Sequence, residues 1–500
     1  MPARSPFTSH DLDTLAACPR RLWLERNVQA ETTQVAKPAF AGHPERDQIL
    51  HAALAATPEG QRICDGPDLQ AAVNETNRHL GHNDHRPLFN ACFIAAGLAD
   101  AVTHDPAPAI TVTADMLLPA GEDSWILVEI LPALRIRERS LERVAHKIAV
   151  LERCGIEIAG AIIRTINPDF VLERPGEYRG LFSDHHVLGR VRHLVNDVPG
   201  ILKAAQAVMK EPEPELPLGP HCTNPAPCRF LPHCTAHAPG PQWPVTILPD
   251  GGWKKWKRKG YDDLLALDEH EIKPREAMIV AATRSGRPFH DLEGAREAIG
   301  QWTYPRAWID FEAASPALPR WIGTQPFQQV PFQFSLHLEQ ADGSISHHEY
   351  LCCDGSDPRK GCAQALVAAI PVDATLIAYN AGFERSVLRR LARDVPDHAA
   401  PLLSMAERTV DLQPVARSCW YHRAQRGSWS MKAVLPSVAD LDYDRLEVKG
   451  GAMAQDRFLE AIDPSTTRER RQEIEAALRA YCRQDTWAMI LLARRLTTAA

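Results

Sequence analysis

Apolar positions along the chain recur with two periods, and the changes of period mark its elements. TVTADMLL (Thr111–Leu118) and WILVEIL (Trp125–Leu131) read as strands joined by the turn-forming AGED. In SLERVAHKIAVLERCG (Ser140–Gly155) the spacing shifts. Leu141, Val144, Ala145, Ile148 and Leu151 form one stripe of a helix that Ser140 is placed to cap and Gly155 to stop. IEIAGAIIRTI (Ile156–Ile166) returns to strand. Strand, strand, helix, strand predicts an α/β layer.

A second series begins with RAWIDF (Arg306–Phe311), a short strand. In VPFQFSLHL the residues Val330, Phe332, Phe334, Leu336 and Leu338 alternate with others, the signature of a half-buried strand. An ADG turn and SISHHEYLC complete a hairpin. RKGCAQALVAAI then reads as helix, TLIAYN as strand, FERSVLRRLARD as helix, and Arg468–Leu496 as one long amphipathic helix. Three meandering strands followed by alternating helix and strand is the order of a ribonuclease-H-like fold.

Proline divides the two series. EPEPELPLGP (Glu211–Pro220) and HAPGPQWPVTILPDGG (His237–Gly252) can continue neither a helix nor a central strand. The expected organisation is a domain over 1–240, a mostly helical basic and aromatic connector over 241–303, and a domain over 304–500. Five hundred residues suit such a division. A 45% hydrophobic, 24% charged composition excludes wholesale disorder. No apolar run reaches the ~18–20 residues that span a bilayer, and the N-terminal stretch lacks the apolar middle of a signal peptide. The expectation is a cytoplasmic protein without a membrane partner. With 56 basic and 63 acidic residues the net charge is −7, so a polyanion must be met by local patches.

Candidate chemistry begins with carboxylates. Asp310 and Glu312 stand two apart on a strand and face the same way. Adjacent anions repel unless a cation lies between them. Glu384 follows TLIAYN through the tight link AGF, and Asp485 lies one helical turn after Tyr481. Most single Asp and Glu residues are solvated surface groups. Four that converge could hold two divalent ions roughly 3.5–4 Å apart for attack of water on a phosphodiester.

DFE (Asp310–Glu312), YNAGFE (Tyr379–Glu384) and YCRQD (Tyr481–Asp485) resemble the three motifs of the DnaQ-like (DEDD) 3′–5′ exonucleases, in the variant whose tyrosine helps orient water. Glu384 departs from the aspartate usual there. The text from Tyr304 to Leu496, including VPFQFSLH, VDLQPV, GSWSMKAVLP and LEVKGGAMA, is similar to a bacterial fusion family that joins a RecB-like nuclease domain to a DnaQ-like domain. The resemblance implies a metal-dependent exonuclease, with Asp310, Glu312, Glu384 and Asp485 as ligands of Mg2+ or Mn2+ and Tyr481 as a catalytic group. It also implies DNA or RNA as partner, with single-stranded 3′ ends favoured. Asp411, in TVDL, reads as a structural or supporting carboxylate.

Cysteine is the second signal. Cys222, Cys228 and Cys234 form C-x5-C-x5-C, and Cys18 stands far upstream in CPRRLWLE. Clustered thiolates are usually brought together by a soft metal or an iron–sulfur cluster. The spacing and the CPRRLWLE text resemble the iron–sulfur RecB-like nucleases, which implies a 4Fe–4S cluster on these four residues and a PD-(D/E)XK restriction-endonuclease-like domain around them. Zinc, with His221, His233 or His237 substituting, and free thiols are the alternatives. The other eight cysteines, from Cys64 to Cys482, read as small buried hydrophobes.

The same resemblance assigns Asp115 and Glu129 to the metal positions of a second nuclease centre. Leu131 stands where that motif has its lysine. Lys147, on the following helix beside the buried stripe, is a possible replacement; the favoured expectation for it is a surface lysine whose stem covers apolar atoms. For strand binding the candidate is WKKWKRKGY, with Trp253, Lys254, Lys255, Trp256, Lys257, Arg258 and Lys259 offering phosphate-binding cations and base-stacking rings. Arg135, Arg137, Arg139 and Arg143 form a second basic stretch. The reading is a nuclease acting on ends through the C-terminal domain, the N-terminal domain binding or weakly cleaving nucleic acid. Its rivals are a non-catalytic scaffold and an N-terminal domain that is the main nuclease.

Overall fold

The computed structural model describes residues 5–28, 44–57, 59–63, 68–81, 85–96, 109–223, 227–237 and 240–499. It is a mixed α/β protein of two units. The first comprises Met1–Pro239 with Pro316–Phe327, and the second Gly240–Ser315 with Gln328–Ala500. The second unit thus begins at Gly240 and includes residues 241–303, while the twelve-residue segment Pro316–Phe327 falls in the first.

In the first unit, α1 (Ser9–Ala17), α2 (Pro19–Asn27) and α3 (Pro44–Ala55) precede β1 (Leu88–Ala95), β2 (Ile110–Pro119) and β3 (Ser124–Leu131). After them come α4 (Glu138–Arg153), β4 (Glu157–Ile166) and β5 (Phe182–His186). These five strands lie in numerical order in a seven-stranded sheet, with two-residue strands at Phe7–Thr8 and Gln61–Arg62 added to β2 and β1. β3 and β4 run parallel, as a strand–helix–strand unit requires. The α4 stripe is buried as its spacing predicts. Ser140 is not its cap: the helix begins at Glu138 with Arg137 at the N-cap. Gly155 follows its end at φ 84°, the left-handed conformation that favours glycine.

The second unit is built on β6 (Arg306–Ala314), β7 (Val330–Glu339), β8 (Ile345–Leu351), β9 (Thr375–Ala378) and β10 (Thr409–Asp411). The sheet order is β8-β7-β6-β9-β10, with the first two pairings antiparallel and the last two parallel. One face of β6 and β7, with Ala307, Ile309, Phe311, Phe334, Leu336 and Leu338, joins the apolar core. The other carries Asp310, paired in register with Ser335, and Glu312, paired with Gln333. The expectation that β7 is half-buried fails, for every residue of the strand is buried. Its polar face is covered by the last helix: Thr486 bonds both Ser335 (2.9 Å) and His337 (2.8 Å), and the Gln333 amide donates to the Leu478 carbonyl.

The basic, aromatic stretch folds into a short helix, Trp253–Arg258. Trp256 is fully buried and meets Tyr261 edge-on at 5.5 Å. It cannot stack on a base, which corrects its assignment to nucleic-acid binding. Around it Lys257 pairs with Asp262, and Lys255 and Lys259 pair with Glu271, so these cations already have carboxylate partners. Arg143 of the other basic stretch pairs with the buried Asp13 at 2.5 Å. Trp256→Ala should therefore cost about 3–5 kcal/mol of stability, read by chemical denaturation of the full chain. Weakened nucleic-acid binding at unchanged stability would contradict this.

Candidate functional site

Three places in the two units gather the residues singled out by the sequence. The most concentrated lies on the polar face of the second sheet. Asp310, Glu312 and Asp485 each offer a carboxylate oxygen, and these oxygens lie within 4.8 Å of one another. Strand alternation supplies the first two. The third comes from α10, the helix Arg468–Thr497 when the chain's helices are taken as α5 (Leu231–His237), α6 (Trp253–Arg258), α7 (Pro358–Ala369), α8 (Gly382–Asp394) and α9 (Gly451–Ala461) before it.

Glu384 enters from the first turn of α8. It lies outside the 4.8 Å group, yet it is 3% exposed and its Oε2 is buried without a hydrogen-bond partner. Its charge is felt by both Asp310 and Glu312. The loop that delivers it is fixed by Asp411, which accepts from the backbone N–H groups of Asn380 (2.9 Å) and Ala381 (3.0 Å) while capping the helix after β10. That contact lets Asn380 hold a left-handed φ of 64°. Asp411 is thus a support for the Glu384 loop.

The electrostatics show what this gathering lacks. Burial, and then the charges of Asp485, Glu312 and Glu384, push Asp310 well above the usual carboxylate range. Burial and Asp485 raise Glu312 to about 8, and burial raises Glu384 to about 8. Burial also lifts Asp485, to about 6, against hydrogen bonds from Tyr443 and Tyr481. Without a cation the charged forms of these groups are disfavoured. An orphaned buried oxygen beside three converging carboxylates fits hard divalent ions with oxygen ligands.

Beside them stand residues to which the sequence assigned no role: Tyr443, and Lys432, Gly450 and Cys482 within GSWSMKAVLP, LEVKGGAMA and YCRQD. The Tyr443 hydroxyl donates to Asp485 Oδ1 at 2.5 Å. Lys432 Nζ lies 5.6 Å from the ring centres of both Tyr443 and Tyr481 and favours ionisation of Glu312 and Asp485. The glycine pair opening α9 makes room: a Cβ on Gly450 would meet Lys432 Nζ at 2.9 Å. Cys482 is buried with Sγ 3.5 Å from Asp310 Oδ2.

The first unit brings Asp115, Glu129 and Lys147 together as well. Lys147 is not a surface lysine. It is 7% exposed, its ammonium bonds Glu129, and it lies 3.8 Å from Asp115 Oδ1. The stem follows the buried α4 stripe into the sheet, so its charge ends over the carboxylates. Arg46 of α3, absent from the sequence reading, bonds Asp115 Oδ1 at 2.5 Å. Burial opposes ionisation of Asp115, but Lys147 and Arg46 outweigh it and hold its carboxyl low. Burial and Asp115 raise Glu129 to about 7. Two cations already meet two carboxylates, a set that does not fit a divalent ion.

Cys18 lies between α1 and α2, Cys222 and Cys228 lie in successive turns, and Cys234 lies in α5. All four are free. Burial raises the Cys234 thiol, and Cys228, Cys222 and Cys18 each add to the rise, so all three lie within electrostatic reach of Cys234. Among the described residues they do not form a group with ligand atoms inside 4.8 Å. The Gly219 N–H points at Cys222 Sγ (3.5 Å), and Arg20 and His233 converge on Glu213 beside the group. Of the other cysteines, five are buried, Cys352 is half-buried and Cys154 is exposed, so burial does not explain that one. Cys64 lies outside the described residues.

A family model described as a domain of unknown function (DUF2779) matches residues 307–430. That is about a quarter of the chain, and it holds Asp310, Glu312, Glu384 and Asp411 but neither Tyr481 nor Asp485. No curated protein matches. A solved structure described as "Crystal structure of SSO0001" aligns over 48% of this chain and 90% of its own, at 14% identity and a TM-score of 0.24, too loose to bear on the fold. Among the described residues, no helix is long and apolar enough to cross a membrane.

The raised carboxylates carry a pH signature. A carboxyl held high in the folded state contributes stability that is full below its ordinary value, 4.5 for glutamate, and is lost as pH rises through about 8 for Glu312 and Glu384. Metal-free protein should therefore melt at progressively lower temperature across that window. Added Mn2+ should restore the loss, by an amount that grows with pH. A melting temperature that rises with pH there, or an Mn2+ effect that shrinks, would contradict the assignment.

Proposed function

We propose that the protein is a metal-dependent nuclease that hydrolyses phosphodiesters at nucleic-acid ends, with its active centre on the polar face of the second sheet. The observation that carries this reading is the convergence of Asp310, Glu312 and Asp485 within 4.8 Å, with the unpartnered oxygen of Glu384 beside them. The strand order β8-β7-β6-β9-β10 supports a ribonuclease-H-like fold of the DnaQ type for this unit. Bound Mg2+ or Mn2+ would supply the charge that polarises the phosphodiester and lowers the pKa of the attacking water. Asp310, Glu312, Glu384 and Asp485 would hold the metal.

The chain's own residues set the rest. Tyr443 fixes Asp485 by donating its hydroxyl hydrogen bond to Oδ1. Tyr481, one helical turn before Asp485, would orient a water through its hydroxyl. Burial and the Asp485 charge drive the Tyr481 pKa upward, so it stays a neutral donor. Lys432 adds a positive charge at the same edge, where an entering phosphate is attracted. The preference for 3′ ends and single strands follows from the resemblance of DFE, YNAGFE and YCRQD to the DnaQ-like exonucleases.

The first unit is read as a nucleic-acid-binding domain of the RecB-like, PD-(D/E)XK kind, tied together by a 4Fe–4S cluster on Cys18, Cys222, Cys228 and Cys234. The four-sulfur gathering supports this, because it would staple the α1–α2 junction to the unit's last helix.

Digestion of 5′- and 3′-end-labelled single-stranded DNA and RNA with Mn2+ tests the reading. Asp310→Ala and Asp485→Ala should each lower the rate by at least 10^3-fold, about 4 kcal/mol of barrier, in a protein that stays folded. Tyr481→Phe should be milder. Digestion at the parent rate by Asp310→Ala would place the chemistry elsewhere. Separately, protein purified without oxygen should be brown and hold about four irons per chain, and Cys18→Ala should lose iron and stability together. Colourless anaerobic protein with stoichiometric zinc would refute the cluster.

A further inference from the structure

The two carboxylate centres are balanced in opposite ways. In the second unit three carboxylates meet with Lys432 as the neighbouring cation, so formal charge is left uncompensated. In the first unit Asp115 is 1% exposed and each of its oxygens already accepts a hydrogen bond. Oδ2 takes the Ile130 N–H at 2.9 Å, and Oδ1 takes Arg46 Nη2 at 2.5 Å. Glu129 is bonded by Lys147. The four side chains sum to zero formal charge.

We infer that Arg46 is a built-in counter-ion that closes the first unit's carboxylate pair to divalent metal. A divalent ion must approach carboxylate oxygens to about 2.0–2.6 Å and bring two positive charges. At Asp115 Oδ1 the guanidinium occupies that approach. Adding a metal to a set that is already neutral leaves two uncompensated charges in a buried site. Removing Arg46 leaves Asp115 and Glu129 facing Lys147 alone, one net negative charge and one open oxygen.

The position of Arg46 is itself held. On α3 the preceding residue, Glu45, accepts from the Ala317 backbone N–H at 2.8 Å through Oε1, and Gln48 accepts from Arg320 at 3.1 Å. Ile49, Leu50 and Ala53 of the same helix share a core with Ala317 and Leu318. The clamp is the 316–327 excursion, and its chain runs on directly from β6, the strand of Asp310 and Glu312. The segment that leaves the metal-binding strand of one unit thus keeps the Arg46 helix seated in the other. This inference stands apart from the chemistry proposed for the second unit.

The test counts Mn2+ by electron paramagnetic resonance on the full chain carrying Asp310→Asn and Asp485→Asn, which removes the second centre. With Arg46 intact, no stoichiometric Mn2+ should bind. Adding Arg46→Ala should create one site per chain, lost again on Asp115→Asn, while Arg46→Lys, which keeps the charge, should stay closed. Glu45→Ala, which unclamps α3 and leaves the carboxylates untouched, should admit Mn2+ more weakly than Arg46→Ala. Stoichiometric binding with Arg46 present that Asp115→Asn abolishes would overturn the inference. So would an Arg46→Ala chain of unchanged circular dichroism that binds none. A Glu45→Ala chain that stays closed would overturn the clamp.

Discussion

A carboxylate taken out of water costs several kcal/mol unless a positive charge accompanies it, and two placed side by side cost more. The first sheet imposes that condition on two neighbouring strands and the second on one strand and the helices beside it, and much of the surrounding structure answers it. The first unit answers with its own cations. α4 buries its apolar stripe so that Lys147 reaches Glu129, and α3 is seated so that Arg46 reaches Asp115. In the second unit the cations that favour ionisation are Lys432, for Glu312 and Asp485, and Arg385, for Glu384. Lys432 and two tyrosine hydroxyls relieve the charge only in part, as the upward shifts of Asp310, Glu312 and Glu384 register.

The same requirement accounts for the thirty-residue helix α10. It closes the polar face of β6 and β7, and a closed polar face needs internal partners. Thr486 provides them for Ser335 and His337, and the Leu478 carbonyl provides one for Gln333. With the helix fixed by that network, Tyr481 and Asp485, one turn apart, are held over Asp310 and Glu312. Asp411 performs the equivalent task for Glu384 by fixing the backbone at Asn380 and Ala381.

Residues close in sequence were readable because their geometry is local. Asp310 with Glu312 follows from strand alternation and Tyr481 with Asp485 from helical spacing, whereas the meeting of the two pairs is what the resemblance of DFE, YNAGFE and YCRQD implied. Contacts made across the fold leave no local trace. Arg46 is one arginine in HPERD, Tyr443 one tyrosine in LDYDRL, and nothing near them in the chain marks the carboxylates they meet 69 and 42 residues away. Periodicity likewise reports which face is apolar and is silent on whether the polar face is covered, which is why β7 was read as half-buried. Trp256 shows the converse error. A tryptophan among five cations suggests stacking on bases, yet its burial is set by Tyr261 and the elements packed around it.

Anomalous scattering from a manganese-soaked crystal of the full chain tests the central claim most directly, since it locates the cation that the carboxylates lack. The account predicts two peaks about 3.5–4 Å apart, bounded by Asp310, Glu312, Glu384 and Asp485, and none at Asp115 and Glu129. A metal seated between Asp115 and Glu129 with the second sheet empty would contradict it.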